Sequence, residues 1–388
     1  MNVISLYFAL WVTVDRNGAD ILYGAALSLS MLAVAVSAPL FGAMSDRSGK
    51  RRAPLIAFTL LSVAGTALIG MTDNLWLGLL AFICANYCYH AALVFYDGML
   101  PWVARGANVG KISGYGVSLG YLGAIVGLLA VRPFVEVGGR PAAFLVTAVL
   151  FLAFAIPCFL FVSDPPRPAN AAPQGTSFKE AFITLKKTWL EIRNYRLVFK
   201  FLMVHFLILD VVNTIIAFMS VYANKVMGFS DAQINTFLIT STVAAMLGSL
   251  LIGWLCQRKG PETVYALVLW IWVAALALAV ASPTQAVFWC VGPLAGIGMG
   301  GIWTVSRALL IQWAPPEKLC ELFGFYGMAG KMASILGPLL WGGIVWLLSA
   351  YPEMKYRAAV FSLMILALGS IVLYRSLIRE FKPTSTPS

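Results

Sequence analysis

Two apolar runs of membrane-spanning length follow one another with only a short basic turn between them. The runs are Ile21–Met44 and Ala53–Met71, and the turn reads Ser-Asp-Arg-Ser-Gly-Lys-Arg-Arg. An apolar run of eighteen or more residues is a candidate membrane span, and Lys and Arg in a short loop keep that loop in the cytoplasm. The pattern therefore predicts two membrane helices joined by a cytoplasmic hairpin.

The composition also indicates a membrane protein. Of the 388 residues, 60% are hydrophobic and 11% are charged, whereas soluble proteins carry roughly 25% charged residues. The formal net charge of +11 is typical of membrane proteins, because Lys and Arg collect on their cytoplasmic loops. We therefore expect the lipid bilayer as a partner, and no nucleic acid.

The six cysteines lie in apolar runs or at their ends, and none forms a Cys-x-x-Cys pair. This distribution is typical of small buried side chains rather than of metal ligands or redox pairs. The sequence predicts neither a metal site nor a cofactor.

Hydropathy predicts twelve transmembrane helices, and hence an all-α polytopic membrane protein. The first run, 1–14, is shorter than the roughly 20 residues that a span needs, so its helix is expected to be truncated. The other runs are 20–44, 53–71, 75–98, 113–132, 141–163, 196–222, 232–256, 263–282, 285–313, 321–349 and 357–377.

The distribution of basic residues predicts the orientation of these spans. With a cytoplasmic N-terminus, 19 Lys and Arg residues fall on cytoplasmic segments and 6 on outer segments. Since basic residues accumulate on the cytoplasmic side, both termini are expected in the cytoplasm.

The turn after the eighth span repeats the first basic turn. The aligned positions are Gly42, Asp46, Arg47 and Gly49 in the first turn and Gly253, Gln257, Arg258 and Gly260 in the second. A pattern that recurs once is typical of transporters built from two similar halves. We predict two pseudo-symmetric six-helix halves, 1–163 and 196–388, joined by a cytoplasmic linker at 164–195.

The second part of the linker has a helical pattern of large apolar residues. They are Phe178, Phe182, Leu185, Trp189 and Ile192, and their spacing puts them on one helical face. This pattern predicts an amphipathic helix on the cytoplasmic membrane surface. A helix packed under the bundle is the alternative.

Two matches to soluble-enzyme motifs lie inside apolar spans. Gly296–Gly301 spells G-x-G-x-x-G and Gly116–Gly120 spells G-x-S-x-G, but neither follows a strand as the corresponding enzyme motifs require. We interpret both as close helix packing; a small-residue face is predicted at Gly116, Gly120, Gly123 and Gly127. The chain is not expected to be an enzyme.

Polar residues inside a span are costly and therefore indicate functional sites. In the span 75–98, Asn86, His90 and Asp97 share one helical face. In the span 196–222, Asp210 and Asn213 share another. These five residues are candidates for binding a substrate or an ion.

Two further cations lie in the second half of the chain. Lys331 is near the middle of its span, so it joins the candidates, and a purely structural ion pair with Asp210 is the alternative. Arg307 lies at the cytoplasmic end of the span 285–313. As a polar residue of a span it also indicates function, and a side chain that extends along the helix to reach the polar surface is the alternative.

Several segments resemble a known family. The first basic turn resembles the G-x-x-x-D-R-x-G-K/R-R loop of major facilitator superfamily transporters. The segments Phe95–Pro101, Lys111–Gly123 and Ser306–Pro338 resemble the vacuolar amino-acid effluxer-like branch and its bacterial members. A Tyr-Asp and Ala-Asn pattern that this branch carries in helix 1 is absent here.

The resemblance implies the major facilitator fold, with two gating loops and alternating access between the halves. The loops comprise Gly42, Asp46, Arg47, Gly49 and Arg51, with the counterparts Gly253, Arg258 and Gly260. We expect a monomeric secondary transporter in a bacterial cytoplasmic membrane, moving a small polar solute such as an amino acid with a proton or another cation.

Three alternatives to this function remain open. Within transport, they are efflux of amphiphilic compounds and cation-coupled sugar transport. From another class, the chain is a membrane sensor that transports nothing. An intramembrane serine protease is disfavoured, because the chain lacks the Gly-x-Ser-Gly pattern of such enzymes.

Overall fold

The computed structural model describes residues 7–104, 108–164 and 195–381. In these ranges the chain forms helices and no strands, and ten of the helices are long and apolar enough to cross a membrane. They are α1 (Asp20–Ser48), α2 (Arg52–Met71), α3 (Leu75–Ala104), α4 (Val109–Phe161), α5 (Arg196–Lys225), α6 (Asp231–Lys259), α7 (Pro261–Ala281), α8 (Val291–Trp313), α9 (Leu319–Leu347) and α10 (Pro352–Phe381). The prediction of an all-α membrane protein is confirmed.

Helix α4 contains two helices that meet at a glycine. Gly139 has φ 69° and ψ −174°, a conformation that favours glycine because it has no Cβ. The 53 residues of α4 therefore cover two of the predicted spans, and each of the other long helices covers one. The total of twelve and the truncated first helix stay predictions.

The segment before α1 packs into the protein core. Residues 7–10 are helical and a π-helical turn follows at Trp11–Asp15. Phe8, Trp11 and Val12 are fully buried, and the Phe8 ring stacks on Phe82 with 4.3 Å between centroids. Gly78 provides the space for the Trp11 indole, since a Cβ at residue 78 would lie 2.6 Å from Trp11 Cζ3.

The chain divides into two compact units, each of which contains residues from both predicted halves. The first unit contains Met1–Val103, Leu122–Trp189 and Pro315–Met328; the second contains Ala104–Tyr121, Leu190–Ala314 and Ala329–Ser388. The division into 1–163, 164–195 and 196–388 stays a prediction. The predicted amphipathic helix lies outside the described residues.

In the first unit, glycines bring α1 against the start of α9. A Cβ at Gly42 would collide with the backbone of Cys320 and lie 2.7 Å from Cα of Glu321. A Cβ at Gly324 would lie 2.5 Å from Cα of Pro39. Only glycine permits this backbone contact at either position.

In the second unit, the glycines of the G-x-G-x-x-G segment are packing positions on α8. A Cβ at Gly298 would lie 2.9 Å from the Trp272 indole nitrogen, and one at Gly301 would lie 2.9 Å from a Val268 methyl group. The prediction of close helix packing is confirmed for this segment.

The small-residue face predicted on α4 is wrong at two of its positions. No described atom lies within 4 Å of a Cβ built at Gly120 or Gly123. Close contact occurs earlier on the same helix. A Cβ at Gly114 would lie 3.1 Å from Cα of Gly253 on α6. Sequence spacing alone did not distinguish these glycines, because all of them lie in one apolar run.

Replacing Gly300 by Val should destabilise the protein by about 1–3 kcal/mol through overpacking. A Cβ at Gly300 would collide with the Ala245 carbonyl oxygen and lie 3.0 Å from its carbonyl carbon, so α6 and α8 would have to separate. Gly369→Val in α10 is the matched control, since nothing described lies within 4 Å of its Cβ. Thermal unfolding of the two purified variants in detergent tests this; equal melting temperatures would contradict the packing argument.

Candidate substrate site and gating contacts

Asp46 caps the N-terminus of α9. Its Oδ1 accepts a hydrogen bond from the backbone N–H of Cys320 (3.0 Å), and its Oδ2 accepts one from the N–H of Glu321 (2.8 Å). The first N–H groups of a helix have no partner within the helix, and the helix dipole favours a negative charge there. The carboxylate is 4% exposed, so these charge-assisted bonds form with little competition from water.

Arg51 connects the same carboxylate to α3. Its guanidinium lies 3.4 Å from Asp46 Oδ1 and donates a hydrogen bond to the carbonyl oxygen of Gly98. Glycine at residue 98 also leaves room for the Cys320 thiol, which a Cβ there would strike. Asp46 therefore binds both α9 and Arg51, and Arg51 in turn binds α3.

Asp164 fixes the turn from the other side. Its Oδ1 accepts hydrogen bonds from the backbone N–H groups of Arg51 and Arg52, both at 2.7 Å. The Arg52 side chain in turn donates to the Phe159 carbonyl oxygen at 3.0 Å. Gly49 ends α1 in the left-handed conformation, with φ 68°, which allows the tight reversal between the two helices.

The repeated turn makes a similar contact without a charge. The Gln257 amide donates to Asn108 Oδ1 at 2.7 Å, and Asn108 precedes the first residue of α4. Arg258 lies over the Trp254 ring at 4.1 Å, and Gly260 has φ 78° between α6 and α7. The second turn has Gln257 where the first has Asp46, and this glutamine forms a side-chain hydrogen bond instead of capping a helix.

Arg307 contacts α4, so the alternative of a side chain directed only to the polar surface is wrong. Its Nε donates to Ser113 Oγ at 3.2 Å, and its guanidinium donates to the Ser113 carbonyl oxygen at 3.1 Å. Ser113 Oγ donates to the Thr304 carbonyl oxygen at 2.9 Å. Sequence reasoning missed this contact because its partners are 194 residues apart.

Asp210 lies near the middle of α5 with 1% of its surface exposed. Its Oδ1 accepts a hydrogen bond from the backbone N–H of Gly337 at 2.8 Å. A Cβ at Gly337 would collide with the Thr214 hydroxyl and lie 2.9 Å from Asp210 Oδ2. Pro338 follows inside α9, where a proline removes one backbone hydrogen bond of the helix. A carboxylate and an interrupted helix therefore meet inside an apolar bundle.

Lys331 and Asn213 belong to the same two helices as this contact. The neighbour of Lys331, Gly330, faces Leu209 on α5, with 3.3 Å from its built Cβ to the Leu209 Cδ1. Lys331 therefore lies on the part of α9 that packs against α5, six residues before Gly337. Among the described contacts, the Asp210 carboxylate meets α9 at Gly337, and its predicted pairing with Lys331 stays a prediction.

The three polar residues on α3 have different surroundings. Asn86 is 2% exposed and donates to Ser30 Oγ at 2.7 Å, which links α3 to α1. His90 packs edge-on against Tyr89 with 4.9 Å between centroids, and Asp97 is partly buried. These residues belong to the first unit, whereas Asp210, Asn213 and Lys331 belong to the second.

A buried aromatic and polar cluster in the second unit was not predicted. His205 is fully buried and its Nδ1 lies 3.4 Å from the Tyr265 hydroxyl. The Tyr265 ring contacts Tyr374, whose hydroxyl donates to the Glu262 carbonyl oxygen at 2.8 Å. One available signal was that His205 is one of only two histidines in the chain.

Comparison with known proteins agrees with this architecture. Residues 8–110 and 107–381 match the family described as vacuole effluxer Atg22-like. The uncharacterized MFS-type transporter YxiO of Bacillus subtilis (strain 168) is 30% identical over 370 residues, which cover 90% of this chain and 83% of YxiO. The multidrug resistance protein MdtG of Salmonella arizonae is 24% identical, over 89% of this chain and 83% of MdtG.

A solved structure shares the fold. The crystal structure of a bacterial homologue of the iron transporter ferroportin, in an outward-facing state, superposes with a TM-score of 0.73 and 15% identity, covering 96% of this chain and 93% of that one. The match of the family over most of the chain, together with the MFS-type relative, confirms the resemblance and assigns the protein to a superfamily of transporters rather than of enzymes. The chain belongs to the vacuole effluxer Atg22-like family of major facilitator superfamily transporters.

Proposed function

We propose that this protein is a secondary active transporter that moves a small polar solute, with amino acids as the first candidates, together with a proton or another cation. It works as a monomer in a bacterial cytoplasmic membrane with both termini in the cytoplasm. The observation that carries the proposal is the carboxylate of Asp210, buried in an apolar helix and bonded to the backbone of a second helix beside a proline.

The energetic cost of this carboxylate supports a role beyond packing. A charge in the middle of a membrane helix costs at least about 2.5–3.5 kcal/mol on insertion scales. Hydrogen bonds from the backbone of α9 offset only part of that cost, and a bound proton or cation removes the rest. Ion binding to Asp210 is therefore coupled to its hydrogen bond with Gly337, and through that bond to the position of α9.

The same region offers complementary charges to an amino acid. The ammonium group of the substrate pairs with Asp210 on α5, and the carboxylate of the substrate pairs with Lys331 on α9. Asn213, close to Asp210 on α5, adds a polar group that can select among solutes. On α3, Asn86, His90 and Asp97 are the second set of candidates.

The two basic turns supply the gating part of the proposal. Asp46 binds the start of α9 and Gln257 binds the residue before α4, so each turn joins helices that belong to different predicted halves. Alternating access requires these contacts to break and form again in each transport cycle. Gly42, Arg47, Gly49, Arg51, Gly253, Arg258 and Gly260 complete the two gates.

Efflux of amphiphilic compounds is the second candidate function. It is favoured by the similarity to MdtG, which is named a multidrug resistance protein. Cation-coupled sugar transport and a sensor that transports nothing are further alternatives. Flux measurements in proteoliposomes with amino acids, sugars and a cationic dye separate the three kinds of transport, and a sensor would move none of them.

Asp210 and Lys331 are tested by a double substitution. Asp210→Asn and Lys331→Met should each abolish amino-acid flux, and the double variant should fold but remain inactive, because both substrate contacts are lost. A merely structural pair behaves differently, since removing both charges leaves no orphan charge and restores activity. The measurement is flux per folded molecule in proteoliposomes, and wild-type flux in the double variant would overturn the assignment.

Asp46→Asn tests the gate. The amide has one acceptor oxygen and no charge, so the cap on α9 weakens by about 1 kcal/mol or more. Flux should fall about tenfold, while substrate affinity changes by no more than a few fold, because the described contacts of Asp46 are with Arg51 and the start of α9. Asp73→Asn is the control, since this carboxylate is 93% exposed. Equal flux in both variants would remove the gating role.

A further inference from the structure

A cleft of about 490 Å³ lies beside the π-helical turn that precedes α1. Trp11, Asp15 and Arg16 line one side, and Gly139, Arg140 and Pro141 line the other. The basic-residue distribution places this end of the helices outside the cytoplasm. The cleft lies within the first unit and takes no part in the proposed substrate site.

Two residues that line this cleft carry a buried donor with no acceptor among the described residues. One donor is the indole Nε1 of Trp11, whose residue is completely buried. The Nε of Arg16 is also buried without a partner. A buried donor without an acceptor costs about 1–3 kcal/mol, so a ligand that supplies acceptor oxygens gains that free energy when it binds.

Two ion pairs border the cleft. Arg140 is paired with Asp15, and the two side chains are 28% and 31% exposed. Arg16, which is 22% exposed, is paired with Asp73, whose carboxylate is 93% exposed and therefore well hydrated. The charged residues of the lining itself are two arginines and one aspartate, so a phosphate has to compete with Asp73 only for Arg16.

The shape of the local chain holds these groups in place. The Arg16 guanidinium lies over the Trp11 ring, 5.1 Å from its centroid, and this cation–π contact holds the two side chains together. Gly139, with φ 69°, turns the chain so that Arg140 and Pro141 face the π-helical turn. Single-turn π-helices often occur at functional sites.

From these observations we propose that the cleft is an oxyanion-binding site, with Arg16, Arg140 and the Trp11 N–H as donors to a phosphate group. The phosphate belongs either to the headgroup of an anionic lipid or to a free phosphate ion. Arginine suits this role because its planar guanidinium donates two parallel hydrogen bonds to a phosphate. Nothing in the proposal depends on which solute the protein transports.

Ligand-dependent thermal unfolding of the purified full-length protein tests the site. One arm titrates inorganic phosphate at constant ionic strength against chloride, and the other compares phosphatidylglycerol with phosphatidylcholine in mixed micelles. A ligand that binds only the folded protein raises its melting temperature in a saturable way. We expect such a rise in at least one arm, and the arm that responds identifies the source of the phosphate.

Variants separate a built site from general attraction to positive charge. Arg16→Gln and Arg140→Gln should each weaken the apparent affinity about tenfold, as expected for the loss of a charge-assisted hydrogen bond. Trp11→Phe keeps the ring and removes only the N–H donor, so it should weaken affinity by a smaller factor. Arg132→Gln is the matched control: it removes one charge near the cleft from an arginine whose side chain is 75% exposed.

The readout is the ligand-induced change within each variant, so differences in intrinsic stability cancel. Loss of the response in the two cleft arginine variants, with a wild-type response in Arg132→Gln, supports the site. The absence of a saturable rise in the wild-type protein with either ligand would overturn it. An equal response in all four variants would overturn it as well, because phosphate binding would then not depend on the residues of the cleft.

Discussion

The contact between Asp46 and the first N–H groups of α9 is the interaction on which the first unit depends. An apolar bundle in a membrane gains little from hydrophobic contact between its helices, because lipid tails are as apolar as the helices themselves. Specific polar contacts and close glycine packing must therefore fix how the helices meet. Asp46 supplies the polar contact, Gly42 and Gly324 supply the packing, and Arg51 extends the contact to α3. The cap is also reversible, because the N–H groups of α9 can be hydrated when the contact opens.

The contacts of the two basic turns differ in strength because their chemistry differs. In the first, a carboxylate binds two backbone N–H groups at a helix N-terminus, where charge and dipole attract. In the second, a neutral amide binds a neutral side chain, Asn108, and Arg307 adds a contact with Ser113. Breaking the first contact therefore costs more than breaking the Gln257 contact. Helix α9 contains both the residues capped by Asp46 and the glycine bound to Asp210.

Much of this could be predicted from the sequence, because hydropathy and local turn chemistry are encoded locally. The apolar runs predicted the helices, and the basic turn predicted the short connection between α1 and α2. The partners of these residues could not be predicted, since Cys320, Asn108 and Gly337 are far away in the sequence and a single chain carries no signal of their proximity. For the same reason the contact of Arg307 with Ser113 could not be predicted, and Gly120 and Gly123 were indistinguishable from the packed Gly114.

The distance between α1 and the start of α9 is the most direct test of the account. Spin labels at Ser48 and Glu317, next to the two ends of the Asp46 contact, report this distance by double electron–electron resonance. The account predicts one short-distance population in the ligand-free protein, and a second, longer population that grows when Asp46 is replaced by Asn. An unchanged distance distribution in the Asp46→Asn variant would contradict it, because the cap would then not hold the two helices together.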